Sequence, residues 1–264
     1  LKPGGDCRFN VAIRTLELAP GKPVRLGIGS GIVIDADPAR EYAECLLKAR
    51  FLSAFDPGFE LIETLRLENG EYPLLSLHLQ RLSASAKALG FACDPAAVQQ
   101  ALQAHAAAEL AGVFRVRLSV AHSGVCQIER VALPAAPASW QAVLADEVLD
   151  PDDYLLRHKT TARSRYDRAL AQLAGRPGVF DAIFLNARGE VCEGARSNVF
   201  IERHGVLLTP PLACGLLPGV MRRHLLESGR ARESVLMLDD LTNADAVYLA
   251  NALRGLFPVS LLRQ

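Results

Sequence analysis

Apolar residues recur along this chain at two different periods, and the switches between the periods mark its elements. Stretches 9–15 and 26–33 are apolar and strand-like, and 38–49 reads as a helix. Residues 59–67 are apolar and partly alternating, Glu68-Asn69-Gly70-Glu71 supplies a turn, and 72–75 is expected to return as a paired strand. Helical spacing of Leu79, Leu82, Ala86 and Leu89 predicts a helix capped by Ser76 and ended by Gly90. Asp94 caps a second, alanine-rich helix from Pro95 to about Leu110. Strands are expected at 114–120 and 125–132, then at 141–148, 179–186, 197–202, 206–209, 232–237 and 246–250, with helices at about 163–174 and 219–228. The prolines of 133–139 break both periods, so this segment is the natural linker between a smaller α/β lobe and a larger strand-rich one.

Composition narrows the function. Half of the 264 residues are hydrophobic, enough for a sizeable core. Lys plus Arg equals Asp plus Glu at 29 each, which lacks the basic footprint of a nucleic-acid binder. No apolar run is long enough to span a bilayer and no secretory leader opens the chain, so a cytoplasmic protein is expected. The opening at Leu1 reads as mid-domain sequence, as in a piece of a longer protein. Six scattered cysteines show no metal-ligand rhythm and no disulfide framework, so reduced thiols and no metal site are expected. The glycine run 27–31 leads into strand-like Ile32-Val33-Ile34 rather than a helix, which excludes a dinucleotide fingerprint.

Four segments carry chemistry. Lys159 follows Leu155 and Leu156, whose apolar character suggests a buried strand or strand end. Burial lowers a lysine's pKa and favours the neutral amine that Schiff-base chemistry needs. Glu193 precedes Gly194 between two apolar runs and reads either as a surface turn carboxylate or as the partner of a heteroaromatic nitrogen. Leu217-Pro218-Gly219-Val220-Met221 reads as a helix start, whose free N–H groups can hold an anion. Arg81 on the first-lobe helix is either solvated or a fork for phosphate. A lysine, a carboxylate, an anion-binding helix start and an arginine are together what a pyridoxal phosphate site requires.

With these segments in hand, residues 55–264 resemble the class IV aminotransferase family of pyridoxal phosphate enzymes: His78-Leu79-Gln80-Arg81-Leu82, the Lys159 segment, Glu193-Gly194-Ala195-Arg196-Ser197-Asn198-Val199-Phe200 and Leu217-Pro218-Gly219-Val220-Met221-Arg222 carry the match. The resemblance implies a two-lobe α/β (α+β) fold, with the small lobe over 53–132, the linker over 133–139 and the large lobe over 140–264. It makes Lys159 the Schiff-base lysine and Glu193 the partner of the pyridine nitrogen. Arg81, Val220 and Met221 become phosphate contacts, Ser197 and Asn198 cofactor-lining residues, and Asn251 with Ala252 a second phosphate-binding loop. Thr64 is a candidate proton-relay hydroxyl, although a strand threonine chosen for β propensity is the plainer reading. Arg196 is unusual for an aminotransferase and would face a substrate carboxylate or make a surface salt bridge. The family also implies a homodimer.

Residues 1–52 resemble the C-terminal end of chorismate-utilising synthases, through 12–15, 27–33 and 41–48. Arg14, Gly29, Ser30, Glu41 and Glu44 would be half a site there, without synthase activity of their own. A chorismate-enzyme tail running into a class IV domain implies a lyase that makes 4-aminobenzoate and pyruvate from 4-amino-4-deoxychorismate. The alternatives are an aminotransferase for branched-chain or D-amino acids, and a non-catalytic fragment of a larger folate-pathway enzyme.

Overall fold

The computed structural model describes residues 15–19, 25–29, 33–53, 56–107 and 111–262. It divides into two compact units, 1–57 and 58–264. Arg14 and Ser30 lie outside the described residues, as do 9–14 of the strand-like stretch 9–15 and 30–32 of the stretch 26–33. In the first unit β1 (Thr15–Glu17) pairs antiparallel with β2 (Arg25–Gly27), and α1 spans Pro38–Ser53. Asp37 Oδ1 caps that helix by accepting from the N–H groups of Ala39 and Arg40 at 2.9 and 3.0 Å. Glu44 is paired with Lys48 at 2.7 Å, an i,i+4 pair on the exposed helix surface.

The second unit opens with β3 (Leu61–Glu68), followed by α2 (Leu75–Leu89), α3 (Pro95–Ala107), β4 (Val113–Val120) and β5 (Cys126–Ala132). The sheet order is β3-β4-β5, antiparallel, with Leu61 opposite Val120 and Glu68 opposite Val113. The expected return strand at 72–75 is not formed. Among the described residues its trace is a bridge between Glu68 and Glu71, and β3 pairs along its full length with β4 from far along the chain. The turn residues Asn69 and Gly70 do adopt positive φ, 49° and 83°, but they deliver the chain to α2. That helix starts after Leu74, itself left-handed, and not at a Ser76 cap. Leu61, Leu65, Leu67, Leu82, Ala86, Leu102, Val116 and Leu118 form a core between the sheet and the two helices. Strand alternation therefore turns Ile62, Thr64 and Arg66 to the opposite face.

The larger sheet is built from β6 (Gln141–Leu144), β7 (Val179–Leu185), β8 (Val191–Gly194), β9 (Asn198–Arg203), β10 (Val206–Thr209), β11 (Ala231–Glu233), β12 (Ala246–Asn251) and β13 (Gly255–Leu261). Its order is β11-β10-β9-β12-β13-β6-β7-β8, and β8 pairs back onto β9 through Glu193 and Asn198. Six strands thus close into a ring around a core to which all six contribute, including Ala142, Ile183, Val191, Val199, Leu249 and Phe257. Outside the ring pack α4 (Ser164–Gln172) and α5 (Val220–Glu227), while the short α6 (Leu238–Thr242) adds Leu241 to the ring's core. The strand expected at 232–237 is confined to β11, and β8, β13 and α6 add to the expected set.

Candidate active site

Glu193 and Asn198 are the two residues at which the ring closes, so the hairpin between them is the seam of the barrel and also the floor of a cavity of about 830 Å³. Thr64, Arg81, Lys159, Glu193, Arg196, Ser197, Asn198, Val220, Asn251 and Ala252 all line this cavity. Met221 does not; its side chain packs outward with Phe200, Leu225 and Ala250, leaving only its backbone at the helix start.

Lys159 is held by backbone pairing against the small sheet: its carbonyl accepts from Ile62 N at 2.9 Å, and Thr160 bridges to Leu61. A short 3-10 turn, Tyr154–Arg157, brings the chain there, in place of the strand expected before the lysine. The amine faces the cavity and is otherwise enclosed. Burial first, then the positive charges of Arg81 and Arg163, push its pKa down to about 7, against the opposing pull of Glu63 and Glu193. A substantial share of the amine is therefore neutral near pH 7.

Glu193 is nearly inaccessible, at 5 %. Burial raises its pKa to about 7, resisted by the Tyr166 hydroxyl, which donates to Oε1 at 2.7 Å, and by Leu217 N–H, which donates to Oε2 at 3.0 Å. Each oxygen retains lone-pair capacity for a donor in the cavity. Beneath the hairpin lies Asp181, fully buried and pushed up to about 6 by burial. It accepts from Ser197 Oγ at 2.6 Å and from Arg196 N at 3.1 Å, which fixes the turn. A Cβ on Gly194 would run into Asp181 and Ser197 Oγ.

The first turn of α5 is open toward the cavity. Arg223 N–H is the first to find a helical acceptor, Gly219 O at 2.8 Å, so the N–H groups of Val220, Met221 and Arg222 are free by position. A Cβ on Gly219 would overlap Asn198 Oδ1, so the helix start approaches the seam as closely as glycine allows. Asn198 Nδ2 donates to Leu217 O at 3.0 Å and locks this contact. Asn251 shapes the loop after β12, accepting from Leu253 N and Arg254 N at 3.1 and 2.9 Å. Arg196 is largely committed: its guanidinium donates to Phe180 O and lies 4.2 Å from the Phe180 ring centroid. The Thr64 hydroxyl has no hydrogen-bond partner among the described residues.

These groups fit pyridoxal phosphate on their own chemistry: a half-neutral enclosed amine, a buried acid with open lone pairs, and an anion cradle that a side chain at 219 would fill. The sequence reading missed Glu63, Tyr166 and Asp181. Glu63 and Asp181 had a signal, each being a carboxylate in an apolar strand row; Tyr166 had none beyond its nearness to Lys159.

A closed barrel with a small lobe over a lysine–carboxylate cavity defines a cofactor-dependent enzyme of the aminotransferase type. The amino-transferase class IV family matches residues 60–262, and the chain belongs to that family, whose members are pyridoxal-phosphate-dependent enzymes. Residues 1–54 match the chorismate binding enzyme family. A Schizosaccharomyces pombe protein provisionally named aminodeoxychorismate lyase is 32% identical over 200 residues, covering 74% of this chain and 86% of that one. The structure of a Mesorhizobium loti protein provisionally named an amino-acid aminotransferase superposes with a TM-score of 0.73 at 40% identity, over 77% of this chain and 100% of that one. The 4-amino-4-deoxychorismate lyase of Pseudomonas aeruginosa superposes with a TM-score of 0.66 at 27% identity, over 78% and 83%.

Proposed function

We propose that the chain is a pyridoxal-phosphate-dependent lyase that converts 4-amino-4-deoxychorismate to 4-aminobenzoate and pyruvate. The observation that carries this reading is the charge of the cavity wall. Seven arginines line it against three acids, Asp153, Asp167 and Glu193. Arg163 and Arg165 are paired with Asp167 and Asp153. Arg115, Arg117 and Arg254 have no ion-pair partner among the described residues. Unpaired guanidinium groups in a half-enclosed wall suit a substrate with two carboxylates, and they are a poor lining for a branched-chain side chain.

In this reading Arg81 and the N–H groups at the start of α5 hold the phosphate, with Asn251 and Ala252 beside it, while Ser197 and Asn198 line the ring. Bound pyridoxal phosphate supplies an aldehyde to capture the substrate amine and a ring that accepts electron density from the adjacent carbon. Glu193 keeps the ring nitrogen protonated. The Lys159 amine, once released, takes the proton from the amine-bearing carbon of the substrate. The enolpyruvyl C–O bond then breaks, its electron pair leaves on oxygen, and a proton relayed by Thr64 completes pyruvate as the six-membered ring becomes aromatic. Arg115, Arg117 and Arg254 hold the carboxylates still through this step, with Arg196 bracing the wall.

The proposal extends to a homodimer acting in the cytoplasm in folate biosynthesis, with residues 1–52 as the remnant of a chorismate-binding domain. No helix among the described residues is long and apolar enough to cross a membrane. The test is to supply 4-amino-4-deoxychorismate to the cofactor-loaded protein and follow 4-aminobenzoate and pyruvate in equal amounts. Absence of both products, together with conversion of the cofactor to its amine form by amino-acid donors, would assign the chain to the aminotransferases instead.

A further inference from the structure

Glu63 is an anomaly of the small lobe. It sits in the core-facing row of β3 between Leu61 and Leu65, and only 2% of it is exposed. A carboxylate in such a row is costly unless several donors meet it. Three do. Arg81 Nε and Nη2 donate to its two oxygens at 2.8 and 2.5 Å, and His78 Nδ1 lies 2.7 Å from Oε2. Both residues come from α2, one turn apart. His78 is itself only 1% exposed, and its Nε2 has no partner among the described residues. Nothing else therefore competes for the orientation of that ring.

The consequence falls on Arg81. Its side fork, Nε with Nη2, is taken by Glu63, and Nη1 donates to Pro218 O at 3.3 Å, in the segment that opens α5. One N–H on Nη2 and one on Nη1 remain for an anion. An arginine not gripped along that edge would be free to turn its fork to the cavity or to rotate away. We infer that Glu63, braced by His78, is the positioning residue that aims Arg81 at the start of α5, so that the cavity discriminates a phosphorylated ring from an unphosphorylated one. This inference rests on the reading of that helix start as the phosphate cradle. Glu63 stays ionised throughout: burial works against its charge, but Arg81 and His78 outweigh it and hold its pKa at about 2.

The alternative role, a counter-ion that merely neutralises Arg81, predicts the opposite sign. Removing the negative charge would then leave the cradle more cationic and tighten its hold on phosphate. The decisive measurement is the affinity of the cofactor-free protein for pyridoxal phosphate and for pyridoxal, which lacks the phosphate, in the wild type and in Glu63→Gln. The expected result is a loss of about tenfold or more in affinity for pyridoxal phosphate, with pyridoxal changed by less than about twofold. A general loosening of the fold would weaken both ligands alike and would overturn the inference, as would tighter binding of pyridoxal phosphate. Glu63→Asp keeps the charge and shortens the reach; it covers the case in which the glutamine variant fails to fold. It should lose part of the discrimination, and full retention counts against positioning. If the wild type itself fails to prefer pyridoxal phosphate, the cradle reading falls first, and the inference falls with it.

Discussion

Lys159→Met gives a direct measure of how hostile the cavity is to an ammonium group. In the folded protein the amine loses its proton near pH 7, whereas the ordinary lysine value is 10.5, a depression of roughly 3.5 (10.5 − 7). At about 1.4 kcal/mol for each tenfold change, the protonated amine carries a penalty of at most ~5 kcal/mol. Water reaches the amine through the cavity, so about half of that, ~2–3 kcal/mol, is the expected net cost. Below pH 7 the lysine is protonated in both folded and unfolded chains and the cost is present in full. Between about pH 7 and 10.5 the unfolded chain binds the extra proton, so the wild type gains stability as pH rises. Methionine has similar length and no charge. Urea unfolding of the cofactor-free proteins should therefore find the variant more stable by ~2–3 kcal/mol near pH 6, with the gap shrinking below ~1 kcal/mol near pH 10. A gap that is the same at both pH values, or a wild type more stable at pH 6, would refute the burial argument and the poised amine that depends on it.

Tyr166→Phe removes a charge-assisted hydrogen bond from Glu193, so the midpoint of Glu193 should move further up from about 7, at a cost of roughly 1.5–3 kcal/mol to its ionised form; carboxyl-labelled NMR titration reads it, and an unchanged midpoint would dismiss the bond. Gly219→Ala should weaken pyridoxal phosphate binding by about tenfold or more, because the new methyl occupies the space of Asn198 Oδ1, and the added change Asn198→Ala should restore part of the loss. Arg254→Gln should raise the KM for 4-amino-4-deoxychorismate by about tenfold while leaving cofactor affinity unchanged, and equal effects on both would show that the arginine serves the fold instead.

The chemistry-bearing residues were more legible than the fold that presents them. Lys159 and Glu193 stand in short local patterns whose meaning does not depend on which strand they join. The seam that unites Glu193 with Asn198 was invisible, since ring closure is a long-range pairing that no local period encodes. Asn69-Gly70 is a genuine hairpin signal, and its residues do take left-handed backbone. Yet 72–75 leads straight into α2, and β3 pairs instead with β4, more than forty residues away, over eight register pairs that complete the core over α2 and α3. Glu63 was legible as an exception, a carboxylate where alternation demands an apolar side chain. Its partners were not, because they lie on α2 and become neighbours only when that helix packs on the sheet.

One feature of the large sheet bears on how the molecule is made. The strand Gly255–Leu261 is the last in sequence among the described residues, but in space it lies between β12 and β6, antiparallel to the first and parallel to the second. Until it leaves the ribosome, the half of the ring carrying β9 and the half carrying β6 to β8 can meet only at the Glu193–Asn198 seam, each with a bare edge. Catalytic competence is thus withheld until synthesis reaches the very residues that bridge that gap, and nascent chains stalled before them should be open to edge-to-edge self-association.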